Sequence, residues 1–371
     1  MKKCRLGELF EIKQGYAFKS ERYLKQGKYV LCTLGNISGD NNFKYDLSKA
    51  NYYPDEFSHS FILQEGDLII PLTEQAVGLF GNTAFVPRTE GFEFVLNQRV
   101  GKIIPFADVA DKYYLHYLLS TELVRTQIEA TATGTSQRNT SPEKIYDVIV
   151  WVPEIGEQRL IGATLFNLER KINNNNRIND NLQQMAFDTY MHLFFKKQPT
   201  GTISDIIIEN SKSPVQVGEA KETTGSYPFF TSGDAVLEWN DCMIDGRNCY
   251  LNTGGNAGVK FYIGKAAYST DTWCISAKDN LADYLYLLLC AIKPELNQKF
   301  FQGTGLKHLQ KPLLKDRRIY IPAQAEAKDF NAKIQPMFDM ISANIRENQN
   351  LIKLRDWLLP MLMNGQATIS D

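Results

Sequence analysis

The chain has 371 residues, of which 43% are hydrophobic and 22% charged, and its formal net charge is −1. This length exceeds one ordinary core and fits two domains, and the composition is that of an ordinary globular protein rather than a disordered or fibrous one. No apolar run reaches the ~18 residues of a membrane span, and the charge excludes binding of nucleic acid through bulk positive charge.

The N-terminal segment MKKCRLGELFEI alternates as a strand does and has no apolar signal core, which predicts a cytoplasmic protein. The six cysteines include no CxxC pair and no histidine at a metal-binding spacing, so we expect free, mostly buried thiols and no metal. Lys and Arg cluster in two stretches, with eight in residues 1–30 and six in residues 299–318. Each stretch is typical of a phosphate-contacting surface, although a solvated surface would have the same composition.

An internal repeat organises the chain. GTSQRNTSPEKIYDVIVWVP begins at Gly134 and GTGLKHLQKPLLKDRRIYIP at Gly303, and each contains a Gly-Thr loop, a polar stretch, a short strand and a proline. These copies are 169 residues apart, and the apolar segments YLHYLL (114–119) and YLYLLL (284–289) precede them at an offset of 170. Further upstream the two halves diverge, so we expect a shared frame around variable middles.

The same offset continues through two long helices. Their apolar stripes, at the spacing of a helix that packs along another helix, are Ile161, Leu165, Leu168 and Ile172 in one copy and Phe330, Ile334, Met337 and Ile341 in the other. Both stripes then turn polar, and NNRINDNL (175–182) matches NIRENQNL (344–351) at five of eight positions. The equivalent core asparagines are Asn175, Asn179, Asn344 and Asn348. Asparagine in such a seam costs stability and fixes register, so we expect reciprocal pairing between two antiparallel helices.

The globular halves contain short alternating runs such as DVIVWV (147–152) and RRIYI (317–321), which predict strands. The predicted fold is α+β, with two tandem pseudo-symmetric globular domains separated by two long antiparallel coiled-coil helices. The expected boundaries are 1–153 for the first globular domain, 154–199 for the central helix, 200–322 for the second globular domain and 323–371 for the C-terminal helix.

Motifs of catalysis are missing from the sequence. No HExxH, GxSxG or EF-hand loop occurs, and Gly264-Lys265 lacks the spacing of a phosphate-binding loop. The Asn/Asp-Pro-Pro-aromatic tetrapeptide with which DNA amino-methyltransferases grip a flipped base is missing too. We therefore expect no catalytic residue and no cofactor in this chain, and an enzyme with an unfamiliar site is the remaining alternative of that class.

The duplicated arrangement resembles the specificity subunit of type I restriction-modification systems. LGELFEIKQGYAF (6–18) is similar to the family's opening strand and turn, and GTSQRN (134–139) and GTGLKH (303–308), each leading to a strand that ends in proline, resemble its recurring loop–strand element. Glu157-Gln158 matches the family's acidic-glutamine pair at the start of the helix. The second copy has Glu326-Ala327 instead, so we expect a different cap there.

The resemblance implies a non-catalytic subunit whose two target recognition domains read the two parts of a bipartite, asymmetric site in double-stranded DNA. It implies that the helices act as spacer and docking surface for two modification methyltransferase subunits. S-adenosylmethionine, ATP and Mg are then expected on partner subunits, with restriction or translocase subunits as further partners and no membrane involved. A duplicated scaffold that joins two protein partners without reading DNA is the alternative that the residues leave open.

Polar loop residues are the candidates for DNA contact, because base edges call for Arg, Lys, Asn and Gln and phosphates for Lys, Ser and Thr. In the first half we expect contacts from Thr73, Gln75, Gln98, Arg99, Thr135, Ser136, Gln137 and Arg138. In the second half we expect them from Asn252, Thr253, Asn256, Thr304, Lys307 and His308. For the Gly-Thr loops the alternative is a glycine turn that feeds a strand. The aromatic residues at 52–57 and 227–230 are predicted to be core rather than stacking platforms.

Overall fold

The computed structural model describes residues 1–75, 78–135, 137–223 and 225–369, and it divides into two compact units. Unit 1 comprises Met1–Arg170 with Leu351–Asp371, and unit 2 comprises Lys171–Asn350. The four-part division expected from the sequence treats the long helices as separate domains. In the structure each long helix is divided between the units, because its two ends pack into different cores.

Unit 1 is an α+β domain. Its strands are β1 (Lys2–Arg5), β2 (Phe10–Gln14), β3 (Tyr29–Cys32), β4 (Tyr52–Tyr53), β5 (Leu68–Pro71), β6 (Thr73–Glu74), β7 (Ala84–Phe85), β8 (Glu93–Leu96), β9 (Val100–Pro105), β10 (Arg138–Asn139) and β11 (Ile149–Val152). Its α-helices are α1 (Lys112–Ser120), α2 (Glu122–Thr131), α3 (Pro142–Tyr146), the first part of α4 (Ile155–Leu193) and the last part of α10 (Gln324–Met363). An antiparallel sheet has the order β2-β9-β5-β7, a second sheet has the order β4-β3-β8 with β3 and β8 parallel, and β1–β11 and β6–β10 are two-stranded ladders.

Unit 2 is built in the same way. Its strands are β12 (Gly201–Thr202), β13 (Ile207–Glu209), β14 (Tyr227–Phe230), β15 (Val236–Trp239), β16 (Arg247–Asn252), β17 (Val259–Ile263), β18 (Ala267–Tyr268), β19 (Thr272–Ala277), β20 (Phe301–Gln302), β21 (His308–Leu309) and β22 (Arg318–Ile319). Its helices are the remainder of α4, α5 (Ile203–Ile206), α6 (Val217–Lys221), α7 (Ala282–Ala291), α8 (Lys293–Glu295), α9 (Lys311–Lys315) and the first part of α10 (Gln324–Met363). The antiparallel sheet has the order β13-β19-β16-β17, and the sheet β15-β14-β18 contains the parallel pair β14–β18.

The middles that diverge in sequence therefore share one topology. In unit 1 the antiparallel pair β5–β7 extends the four-stranded sheet beyond β9, and in unit 2 the antiparallel pair β16–β17 does the same beyond β19. The short helix expected before each Gly-Thr loop is present as α1 and α7. A sheet needs only alternating apolar side chains on its core face, such as Phe10 and Ile12 on either side of exposed Glu11, so many sequences can build this frame.

The apolar stripes of the long helices pack against the globular parts of their units as well as against the opposite helix. In unit 1, Ile161 and Leu165 of α4 join one core with Tyr114 of α1 and Leu362 of α10. In unit 2, Phe330 of α10 contacts Phe194 at 5.1 Å between ring centroids. The stripe thus fixes each helix to its domain, which goes beyond the helix-on-helix packing expected from the sequence.

The polar centre of the helices lies within unit 2, where α4 and α10 run antiparallel. Asn175 Nδ2 donates to Asn348 Oδ1 at 2.9 Å, and Asn344 Nδ2 donates to Asn179 Oδ1 at 2.8 Å. Asn175 and Asn344 are equivalent positions of the repeat, and so are Asn179 and Asn348. Each hydrogen bond is therefore the counterpart of the other, and the pairing is reciprocal. Asn175 and Asn348 are buried, and Asn175 also donates to Glu347.

The two long helices begin with different contacts, as the Glu-Gln and Glu-Ala pairs suggested. Buried Gln158 donates to the carbonyls of Pro153 and Val109 and accepts from the amide of Asp111. In α10 the carboxylate of Glu326 accepts from the amide of Ala323 at 3.0 Å, and hydrogen bonds from Lys197, Tyr320 and that amide lower the pKa of Glu326 to about 2.

The tie between α10 and the loop before α7 is made one turn further along that helix. There Asn331 Nδ2 donates to the carbonyl of Asn280 at 2.9 Å. At its far end α10 stops at Met363, and Gly365 adopts a φ of +67°, the left-handed conformation common after a helix.

Other expectations about single residues can be compared with the structure. All six cysteines are free thiols, four of them buried. Tyr52, Tyr53, Phe229 and Phe230 are buried, which confirms their place in the core, whereas Phe57 and Tyr227 are half-buried. Over the described ranges, no helix combines the length and apolar character that crossing a membrane requires, and no cluster of three or more His, Cys, Asp or Glu side chains could hold a metal ion.

Candidate nucleic-acid interface

Four chain segments of unit 1 meet at the sheet edge where β2 and β5 end and β9 begins. The amide of Gln98 donates to the carbonyl of Tyr16 at 3.0 Å, which ties the β8–β9 turn to the residues after β2. Leu72 donates to the carbonyl of Arg99 at 2.9 Å, and Thr140 donates to the carbonyl of Leu72 at 3.0 Å. The chain folds this way because these short ladders satisfy the backbone groups of loops that would otherwise lack partners.

These segments enclose a polar cleft of about 330 Å³. It is lined by Gln14, Leu72, Thr73, Gln98, Arg99, Gln137, Asn139, Thr140, Ser141 and Pro142. Four of the residues expected to contact DNA are thereby brought together, namely Thr73, Gln98, Arg99 and Gln137. Sequence reasoning missed Gln14 and Asn139, although both lie in segments it singled out, IKQGYAF and GTSQRN.

Gly15 explains how Gln14 reaches this cleft. A Cβ atom on Gly15 would lie 2.2 Å from the carbonyl oxygen of Asn97, a distance that no side chain tolerates. The chain therefore passes directly against the β8–β9 turn. Asn97 itself is buried, and its Oδ1 accepts from the amide of Arg99 at 3.2 Å, so it positions the turn.

Three side chains at the cleft keep their hydrogen-bonding capacity for a ligand. Gln14, Gln98 and Arg99 are exposed, and among the residues the structure describes their side chains make no hydrogen bond or ion pair. An amide offers a donor and an acceptor side by side, and a guanidinium offers a planar fork of donors. These are the groups that read base edges in the DNA major groove.

Two residues expected to contact DNA instead support the loop. Thr73 is buried, and its hydroxyl donates to Asn139 Oδ1 at 2.9 Å. Arg138 forms an ion pair with buried Glu74 at 3.0 Å and lies over the ring of Phe80. Both side chains are occupied within unit 1, so the structure gives them a positioning role. Gln75 and Thr135 are exposed, Gln137 is half-buried, and Ser136 lies outside the described residues.

In unit 2 the side chain of Asn252 is likewise engaged within its own unit. This residue is buried, its Nδ2 donates to the carbonyls of Gly254 and Asn256, and its Oδ1 accepts from the amide of Gly258 at 2.6 Å. Both ends of the amide are thus engaged in shaping the β16–β17 loop. Thr253 donates from its hydroxyl to the carbonyl of Asp271 at 3.0 Å. Asn256, Thr304, Lys307 and His308 are exposed and remain candidates.

Much of the positive charge found in the sequence is neutralised. Of the six cations in residues 299–318, Lys299 and Arg317 pair with Glu295, and Lys315 pairs with Glu209 at 2.7 Å. Lys311 lies over the ring of Trp273, and burial lowers its pKa. In the N-terminal stretch, ion pairs join Arg5 to Asp147, Arg22 to Glu56 and Lys28 to Glu93. The basic faces are therefore weaker than the sequence suggested.

Comparisons with known proteins cover almost the whole chain. A family model described as "Type I restriction modification DNA specificity domain" matches residues 1–184 and 197–354. The chain is 20% identical over 317 residues to the type I restriction enzyme MjaIX specificity subunit of Methanocaldococcus jannaschii, covering 74% of this chain and 73% of that protein. It is 24% identical over 153 residues to the EcoDI specificity subunit of Escherichia coli, covering 40% and 34%.

A solved structure shares the fold. It is the S subunit of a type I restriction-modification system from M. genitalium, with a TM-score of 0.67 over 100% of this chain and 96% of that one. Because the sequence identity is only 15%, this similarity supports a shared fold and nothing more. Tandem α+β domains with two long helices are thus an arrangement that an experimentally determined structure also has.

Proposed function

This chain belongs to the type I restriction modification DNA specificity domain family, and we propose that it selects the DNA target of such a system as a non-catalytic subunit. Each unit would read one part of a bipartite site. The cleft of unit 1 and the corresponding loops of unit 2 would lie against the major groove, where base pairs differ in their donors and acceptors. A scaffold that joins proteins without reading DNA is the weaker alternative, since the matching family is one of DNA specificity.

One observation carries this proposal. The two units present the same set of loops on the same frame of sheets, but the side chains at those loops differ. Identical loops would read a repeated half-site, whereas different ones read two different half-sites. The target we propose is therefore bipartite and asymmetric.

We also propose two modification methyltransferase subunits as partners, docked on the long helices. NNRINDNL and NIRENQNL present matching residues, so two equivalent surfaces would take two copies of one partner. The four asparagines would serve docking indirectly, because their amides bond to one another and fix the helix register. S-adenosylmethionine would be bound by those partners, and ATP and Mg by restriction subunits where the system has them.

The test is co-expression of this chain with the modification subunit of its own system. The purified complex should methylate adenine within one bipartite motif, which sequencing of methylated DNA would identify. The chain alone should bind DNA weakly. A stable complex that methylates no DNA, or methylates without regard to sequence, would contradict the proposal and favour the scaffold.

A further inference from the structure

The β8–β9 turn of unit 1 has a counterpart in unit 2, the turn before β19, and matching backbone hydrogen bonds identify it. Leu72 donates to the carbonyl of Arg99 at 2.9 Å, and Thr253 donates to the carbonyl of Asp271 at 3.0 Å. In each unit this bond joins the segment after the third strand of the four-stranded sheet, β5 or β16, to the turn before the second strand, β9 or β19. By these hydrogen bonds, Asp271 corresponds to Arg99.

The bonds of the Gly-Thr loops support this correspondence. Thr140 donates to the carbonyl of Leu72 at 3.0 Å, and Leu309 donates to the carbonyl of Thr253 at 3.0 Å. Thr140 and Leu309 are 169 residues apart, the period of the repeat. An element that the sequence aligns securely therefore contacts the two segments in the same way.

Two further bonds fix the turn itself. The amide of Gln98 donates to the carbonyl of Tyr16 at 3.0 Å, and that of Thr270 donates to the carbonyl of Val215 at 2.8 Å. The turn then closes in the same manner, through the bond from Val100 to Asn97 at 2.9 Å in unit 1 and the bond from Thr272 to Ser269 at 3.0 Å in unit 2. Arg99 and Asp271 thus occupy the same backbone position.

The side chains at this position are opposite in charge. Arg99 and Asp271 are both exposed, and neither side chain makes a hydrogen bond or ion pair with any part of the chain that the structure describes. Both backbones are held rigidly, since Asn97 Oδ1 accepts from the amide of Arg99 and the hydroxyl of Thr253 donates to the carbonyl of Asp271. A free charged group on a fixed turn is suited to recognition.

Resting on the proposed function, we propose that Arg99 and Asp271 are equivalent specificity residues, of which Arg99 reads a guanine and Asp271 reads the amino group of a cytosine. The guanidinium fork donates to the N7 and O6 acceptors of guanine, and a carboxylate accepts from cytosine N4. Asp271 cannot bind phosphate, because two negative charges repel each other. As a specificity residue, Asp271 would therefore contact a base, and by correspondence so would Arg99.

The experiment uses the complex of the full chain with its modification subunit. Binding is measured by competition with oligonucleotides in which each base pair of the methylated motif is replaced in turn. The variants are Arg99→Ala, Arg99→Lys and Asp271→Asn. The controls are Arg88→Ala in unit 1 and Asp241→Asn in unit 2, two exposed residues outside the loops described above.

We expect Arg99→Ala to reduce discrimination at one G·C pair of one half-site by at least about tenfold, and Asp271→Asn to do so at one C·G pair of the other half-site. Arg99→Lys keeps the positive charge but loses the two parallel donors of the guanidinium. The affinity for DNA should therefore be unchanged, while the preference for the G·C pair should fall. Unchanged base preference, or a loss of affinity that is uniform over all sequences, would overturn the inference. A wild-type complex without any bipartite motif would overturn the proposed function itself.

Discussion

Arg138 is the residue whose role changes most between sequence and structure. In the sequence it is a cation in a polar loop, as expected of a DNA contact. In the structure it forms an ion pair with Glu74, whose side chain is 1% exposed, and its Nη2 donates to the carbonyl of Glu129 at 3.0 Å. The other carboxylate oxygen of Glu74 accepts from the amides of Leu79 and Phe80. Arg138 therefore completes a buried polar network beneath the cleft.

We predict that Arg138→Ala lowers the free energy of unfolding by about 3–5 kcal/mol, because it leaves the Glu74 carboxylate buried without its cation. Urea-induced unfolding measures this change. Arg99→Ala is the matched control, since an exposed arginine without partners should change stability by roughly 0.5 kcal/mol or less. If the two variants proved equally stable, the positioning role of Arg138 would be wrong.

At the scale of elements, the two long helices are held to their units by hydrogen bonds from different residues. Each helix has to be tied to the loop before the short helix of its unit. In α4 the tie is Gln158, which bonds to both sides of that loop. In α10 the equivalent residue is Ala327, and Asn331 makes the tie one turn later. Two residues one turn apart lie on the same helix face, so either position can reach the loop.

We predict that Gln158→Ala destabilises unit 1 by about 2–4 kcal/mol, because it removes three hydrogen bonds and leaves buried backbone groups unpaired. Thermal unfolding should show a lower melting temperature. Glu157→Ala is the control, since within the described residues its carboxylate makes no hydrogen bond. Equal effects of the two substitutions would argue against this account of the helix start.

The asparagines of α4 and α10 allow a second prediction about elements. Replacing Asn175, Asn179, Asn344 and Asn348 together with Leu should raise the melting temperature and loosen helix alignment, because an apolar seam is more stable but less specific. Asn175→Leu alone should lower the melting temperature, since Asn348 Oδ1 would lose its donor. Calorimetry and distance measurements between labels on the two helices test this. A quadruple variant with unchanged stability and alignment would contradict it.

At the scale of the whole molecule, the distribution of charge bears on DNA affinity. The formal net charge is −1, and several cations of the two basic stretches already pair with carboxylates. A cation that is paired within the protein releases no counterion from DNA unless it first gives up its partner. We therefore propose that much of the affinity for the phosphate backbone comes from the partner subunits.

We predict that the isolated chain binds DNA with a shallow dependence on salt, and that its complex with the modification subunit shows a much steeper one. The slope of log affinity against log salt concentration counts the phosphates neutralised, at about 0.9 per contact. Fluorescence titrations from low to moderate salt would measure both slopes. If the slope for the isolated chain were as steep as that for the complex, the partner subunit would not be the main source of phosphate contacts.

The sequence by itself determined the duplication, the two long helices, the α+β class of both halves and the family. The duplication, the helices and the α+β class follow from local periodicity and from a repeat of constant length, and neither depends on distant contacts. The family was indicated by a resemblance of short motifs such as GTSQRN and GTGLKH.

Only the tertiary structure decided which loop side chains are free. Whether an arginine is available depends on a carboxylate far away in the chain, so Arg138 and Arg99 cannot be told apart by their local sequence. The correspondence of Arg99 with Asp271 is hidden as well, because their offset of 172 residues departs from the period of 169. Insertions in the variable middles shift the numbering, while backbone hydrogen bonds keep the two positions equivalent in space.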